Sequence, residues 1–187
     1  MHLHGEELMI DSTVLNLLRK RRSIRQFTSQ PVEADKIDAL LEAAVRTPSS
    51  RGRRPWEFVV VTDPELLRRL GKAKEHGSAF LTGVPLAIVI AADSSKSDVW
   101  TEDCSIAALV IQMAAEELAL GSCWAQIRLR PHNAECSAEQ YVKGLIDLPD
   151  SHVVECIIGI GYPAEKKTGH ASEDLPFGQV HRDKFRD

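Results

Sequence analysis

Two short stretches concentrate the hydrogen-bond donors that bind anions. Residues 19–25 read RKRRSIR, and residues 46–55 read RTPSSRGRRP. In the first, Arg21, Arg22, Ser23 and Arg25 offer guanidinium and hydroxyl donors over a short turn, the chemistry a phosphate dianion needs. In the second, Pro48, Ser49 and Ser50 lead into Arg51, Gly52, Arg53 and Arg54, and Gly52 permits close backbone approach. Each stretch also has a plainer reading. A basic run after a helix C-terminus answers the helix dipole, and a loop of proline, serine and arginine is ordinary solvated surface. The chain as a whole carries a net charge of -4, so these clusters are local features of an acidic protein.

Other chemistries leave no trace. There is no GxxxxGK[ST] loop, no HExxH, no close cysteine–histidine cluster and no GxSxG elbow. GIGYP (159–163) holds the first two glycines of a dinucleotide fingerprint, but Pro163 follows and no helix opens there. His2 and His4 lack a third ligand for a metal. The acidic pair Glu102–Asp103 starts a helix, where negative charge has a structural explanation. No serine–histidine–carboxylate triad can be read, and no catalytic side chain is assigned. The acidic balance argues against nucleic acid as a partner. The apolar runs fall short of the roughly 20 residues that span a bilayer.

The elements that must position the basic stretches follow from periodicity. At 187 residues the chain fits one domain around one core. Residues 1–10 read as a flexible arm. A helix begins at Asp11 or Ser12, with Val14, Leu15, Leu17 and Leu18 on its apolar side, and ends in Arg19 to Arg22. A second places Ile37, Leu40, Leu41, Ala44 and Val45 at spacings of three and four until Pro48 stops it. Phe58 to Val61 form a strand, and Asp63-Pro64 open a short helix through Leu66, Leu67 and Leu70. Residues 85–93 suit a strand buried on both faces. Residues 103–121 form a helix apolar around most of its circumference, with Gly121 as its C-cap. Ser137 and Gln140 make a capping box, and 153–163 supply a further strand. The segment 164–187 is polar until Val180, His181 and Phe185. Two helices before the first strand argue against a run of βα units and for an α+β or three-layer arrangement. Cys104, Cys123, Cys136 and Cys156 form no CxxC pair and no signal-peptide pattern precedes them, so free thiols in a reducing cytoplasm are expected.

RRSIRQF, PSSRGRRPWEF, GSCWAQIR and GIGYP occur in this order across nearly the whole chain. As a set they resemble the flavin-dependent nitroreductase family, in particular a compact prokaryotic branch. The resemblance implies an α+β sandwich around a mostly antiparallel sheet, and a homodimer with FMN at the subunit interface. It implies that Arg21, Arg22, Ser23 and Arg25 hold the flavin phosphate and ribityl chain. It further implies that Pro48, Ser49, Ser50 and Gly52 approach the flavin of the other subunit. Cys123, Trp124, Ala125 and Gln126 would lie near the isoalloxazine ring, Gly161 beside them, and Lys166 or Lys167 at the phosphate. The segment 164–187 would pack on the partner subunit. The family's usual asparagine is replaced by Gly52, its glutamine by Arg54, and its proline–glutamate–glycine loop by Gln126-Ile127-Arg128.

The implied activity is an oxidoreductase in which NADH or NADPH reduces FMN by hydride transfer to N5. A small electrophilic acceptor such as a nitroaromatic or quinone then reoxidises it. The competing reading is a non-enzymatic FMN-binding or redox-sensing dimer. Trp56 reads as a core or interface anchor, Trp100 as a lid or a capping contact, and Cys123 as a packing residue. Arg51, Arg53 and Arg54 stay open: they line a substrate mouth, pair across the dimer, or face water.

Overall fold

The computed structural model describes residues 11–185; the N-terminal arm with His2 and His4 lies outside them. Ser12 caps α1 (Thr13–Lys20), which buries no residue fully. α2 (Ala34–Val45) follows, then β1 (Trp56–Val61), α3 (Pro64–Leu70), β2 (Leu86–Asp93) and α4 (Trp100–Glu117). β3 (Gly121–Gln126), α5 (Ala138–Leu145) and β4 (His152–Gly161) complete the set. The strands form one sheet in the order β1-β2-β4-β3, and every pairing is antiparallel.

Two-residue alternation along the central strands divides the core into two layers. On one face Leu86, Ile88, Ile90, Cys156, Ile158 and Ile160 meet Leu40 and Ala44 of α2 and Ala108, Ile111 and Ala115 of α4, with Trp56 among them. On the other, Ala87, Val89, Ala91 and Ile157 meet Leu67 and Leu70 of α3, Leu81 and Val142 of α5. The three-layer α+β sandwich is therefore as expected. β2 is buried on both faces because helices cover both. Each fully buried leucine or isoleucine here contributes about 1.5–3 kcal/mol.

α4 differs from the sequence expectation at both ends. It starts at Trp100 and ends at Glu117, and the left-handed residue behind it is Ala119 (φ 60). Gly121 is no cap; it is the first residue of β3. The glycine is required sideways, since a Cβ there would stand 2.9 Å from the Ile24 Cβ. A second irregularity lies in β4. Ile90 faces Cys156 and Ala91 faces Val154, so Glu155 is the extra residue of a bulge.

The four cysteines are free. Among the described residues no helix is long and apolar enough to cross a membrane, and no cluster of His, Cys, Asp or Glu could hold a metal ion. Ile106 and Leu109 of α4 and Val14, Leu15 and Leu18 of α1 are exposed. So is every residue from 170 to 185, including Leu175, Phe177, Val180 and Phe185.

Candidate functional site

The first basic stretch runs beside β3 as an incomplete fifth strand. Ser23 bridges Ser122 in parallel, and the Ile24 amide donates to the Ser122 carbonyl at 3.0 Å. Extended geometry sends alternate side chains to opposite sides. Ile24 packs onto Gly121, while Arg21, Ser23 and Arg25 are directed toward Cys123. Burial pushes the Cys123 thiol up, and the Arg25 charge, the Ser23 hydroxyl, Lys167 and Arg21 pull it down. Arg22 goes the other way. Its guanidinium donates to the Thr168 carbonyl and lines a cavity of about 450 Å³ with Lys20, Glu116 and Lys166. The basic run is thus two-sided, a division that residue type alone does not reveal.

Lys166 and Lys167 both border that cavity but differ in their partners. Lys167 Nζ donates to the Ser23 carbonyl at 2.8 Å and pairs with Glu165 at 3.1 Å. Glu165 in turn accepts from the main-chain amides of Arg25 (2.5 Å) and Gln26 (3.2 Å). Those amides, with Lys167, hold its carboxyl below the usual range. Lys166 is exposed. Gly161, opposite Gly121 at the end of β4, is buried. A Cβ there would meet the Pro85 ring, so close packing demands that glycine.

β3 has β4 on one side only; on the other, the Ser23 bridge covers its start and leaves the rest open. Since Ser122 turns its carbonyl outward, strand alternation puts the Trp124 main chain on this open edge. Cys123 and Ala125 are buried, whereas Trp124 and Gln126 are half-buried. The Trp124 indole donates to Gln126 Oε1 at 2.9 Å, and Gln126 Nε2 donates to Glu155 Oε1 at 3.2 Å. Glu155 Oε2 is buried without a hydrogen-bond partner, 4.0 Å from Arg128 Nε. Burial raises the Glu155 carboxyl above the ordinary carboxylate range, against the Gln126 donor and the Arg128 charge. The Arg128 guanidinium lies 5.6 Å from the Trp100 ring centre. Half-buried Lys74, behind α3, completes the surroundings. Burial and Arg130 push its ammonium down and Cys123 draws it up.

The second basic stretch is a rigid turn at the other edge of the sheet. The Ser50 amide donates to Asp103 Oδ1 at 2.8 Å, and Ser97 donates to Oδ2 at 3.3 Å. Ser49 Oγ accepts the Arg54 amide at 2.9 Å, and Arg53 meets Asp98 at 3.4 Å. Pro55 and Trp56 are buried and anchor the turn to β1. Arg51, Gly52 and Arg54 have φ of 53, 66 and 48, a region that costs a residue with a Cβ about 1–2 kcal/mol. Glycine suits position 52 for that reason. Asparagine is the residue that tolerates this region next best.

One chain does not bring the two stretches together. Ser23 adjoins the start of β3, and the turn leads into β1 at the opposite edge and end. Four strand spacings and about six residues of strand put Ser23 and Trp56 roughly 28 Å apart.

The nitroreductase family model matches residues 18–76 and 71–162. The chain belongs to the nitroreductase family. A solved FMN-dependent nitroreductase from Clostridium difficile R20291 shares 46% identity with a TM-score of 0.90, over 91% of this chain and 99% of that one. An Archaeoglobus fulgidus protein provisionally named NADH dehydrogenase/NAD(P)H nitroreductase is 32% identical over 91% of this chain and 98% of its own length. A Methanothermobacter thermautotrophicus protein of the same name is 33% identical over 88% of this chain and 84% of its own. This nitroreductase is accordingly an oxidoreductase with the α+β sandwich of that family.

Sequence reasoning missed three residues of this candidate site. Asp103, read as a helix-dipole acid, is the buried anchor of the Ser49–Ser50 turn. Glu155 sat inside an apolar strand, and only the bulge aims it at Gln126. Lys74 lay in a polar segment with no neighbour in sequence to mark it.

Proposed function

We propose that this nitroreductase is a homodimeric, FMN-dependent NAD(P)H oxidoreductase. The observation that carries the reading is the convergence of Arg21, Ser23, Arg25 and Lys167 on the open edge of β3. Guanidinium, ammonium and hydroxyl donors beside unpaired strand amides fit a phosphate-bearing, flat, hydrogen-bonding group. Arg21, Ser23 and Lys167 would hold the phosphate and ribityl end. Arg25 and Lys74 would supply positive charge to the ring edge where reduction develops negative charge. The Trp124 amide would orient the ring. The Gln126–Glu155 hydrogen bond fixes the side-chain amide that receives the Trp124 indole. Bound FMN would supply two-electron chemistry between NADH or NADPH and a small electrophilic acceptor such as a nitroaromatic or quinone.

The separation of the two stretches supports the dimer. The Ser49–Ser50 turn stands too far from Ser23 to serve its own chain's groove, so a second copy would supply Pro48, Ser49, Ser50 and Gly52. The exposed Ile106 and Leu109 on α4 and the uncovered apolar residues of 170–185 support a large interface in which the segment after Pro163 packs on the partner.

Purified protein should be yellow, release FMN on denaturation, and bleach when given reduced nicotinamide without oxygen. A colourless protein that takes up no added FMN refutes the reading. A screen of nitroaromatics and quinones after anaerobic reduction then identifies the acceptor class.

A further inference from the structure

We propose that Arg51 and Arg54 form a recognition site for a phosphate dianion, the 2′-phosphate that distinguishes NADPH from NADH. The inference rests on the nicotinamide reading above and deepens it.

The turn uses up most of its own main-chain donors. The Ser50 amide goes to Asp103, that of Gly52 to the Ser49 carbonyl at 3.0 Å, that of Arg53 to the Ser50 carbonyl at 3.1 Å, and that of Arg54 to Ser49 Oγ. Pro55 has none. Besides the Arg51 amide, side chains supply the donors that face outward. Arg53 docks on Asp98, but the Arg51 and Arg54 guanidiniums make no hydrogen bond or ion pair with any described residue. Arg46 and Arg68, by contrast, meet Glu42 and Glu65, each at 2.6 Å. In a chain with 27 acidic and 23 basic residues, two free guanidiniums flanking an anchored one are not produced by bulk charge.

The backbone points the same way. Arg51 and Arg54 both occupy the left-handed region, where glycine would rest without strain. The fold gains nothing from arginine at these two positions, and residues held in that region collect at ligand clamps. A guanidinium matches two phosphate oxygens in parallel, so two on one rigid turn match a dianion. In the homodimer the turn borders the partner's groove. Arg51 and Arg54 are exposed, so at that border they would be open to the adenosine end of a coenzyme whose nicotinamide reaches the groove.

The test uses the FMN-loaded protein and the variants Arg51→Gly, Arg54→Gly and the double variant, which keep the turn's φ. Steady-state kcat/KM is measured with NADPH and with NADH at a fixed quinone. Each substitution should lower kcat/KM for NADPH roughly 10- to 100-fold and leave that for NADH within about twofold, abolishing the parent's preference for NADPH. In parallel, adenosine 2′,5′-bisphosphate should bind the parent more tightly than adenosine 5′-monophosphate, and the double variant should bind both alike. A parent that prefers NADH, or variants that slow both coenzymes equally, overturns the proposal. That second pattern would mark the arginines as contacts for the acceptor or the partner chain. If neither coenzyme reduces the flavin while the bisphosphate still binds through these arginines, the nicotinamide reading falls and the phosphate site stands.

Discussion

Replacing Gly121 by alanine probes whether β3 holds the first basic stretch in place. The added methyl would stand 2.9 Å from Ile24 Cβ and Cγ2 and 3.0 Å from Cγ1, against a comfortable carbon–carbon separation of about 3.5–4.0 Å. Ile24 cannot rotate its own Cβ away, so the main chain must retreat by about half an ångström or more. That retreat strains the Ile24 amide to Ser122 carbonyl bond, now 3.0 Å. Overpacking of this kind costs about 1–3 kcal/mol, which at this chain length lowers Tm by roughly 2–12 °C. Arg21, Ser23 and Arg25 ride on the same segment, so FMN should dissociate more readily at temperatures where the variant is still folded. Thermal unfolding and an FMN titration read the two effects separately. The double variant Gly121→Ala/Ile24→Ala supplies the internal control. Truncating Ile24 makes room for the new methyl, so the two costs should sum to less than additivity by about 1 kcal/mol or more. A Gly121→Ala protein with the parent's Tm, or strict additivity in the cycle, refutes the packing argument.

The remaining expectations concern individual charges. Lys167→Ala should weaken FMN retention by about tenfold or more, through loss of a charge-assisted donor, while Lys166→Ala should change it little; the reverse order in an FMN titration refutes the assignment. Arg22→Ala should weaken FMN retention less than Arg25→Ala, because Arg22 is turned to the Thr168 carbonyl and Arg25 to Cys123. Equal losses would show that both reach the cofactor. Glu155→Gln should alter the pH dependence of stability. Burial raises the folded-state carboxyl, so the folded chain keeps a proton that the unfolded chain releases. The group's contribution is fully present below the unfolded carboxylate range and is lost as pH rises toward the raised folded value. Relative to parent, the variant should therefore gain stability in urea unfolding as pH rises from the unfolded carboxylate range to neutrality. A parent–variant difference unchanged across that interval refutes the burial argument.

The sequence by itself determined the layers and their contents. Apolar runs at 56–61 and 85–93, a helix apolar on most sides and the capping box at Ser137 need only local geometry and side-chain type. The donor-rich character of 19–25 and 48–54 was legible for the same reason, as was the absence of metal or triad motifs. Which donors act together was decided by tertiary structure alone. Arg21 and Arg25 differ from Arg22 only because the segment lies extended against β3. Lys167 differs from Lys166 only by its reach to the Ser23 carbonyl. Gly121 looks like a helix cap until Ile24 is seen against it, and Asp103 looks like a dipole acid until Ser50 donates to it. Glu155 looks like one more strand residue until the bulge shifts its register. Each of these outcomes depends on contacts between residues far apart in the chain, and such contacts are fixed by strand order and packing, which local periodicity does not encode.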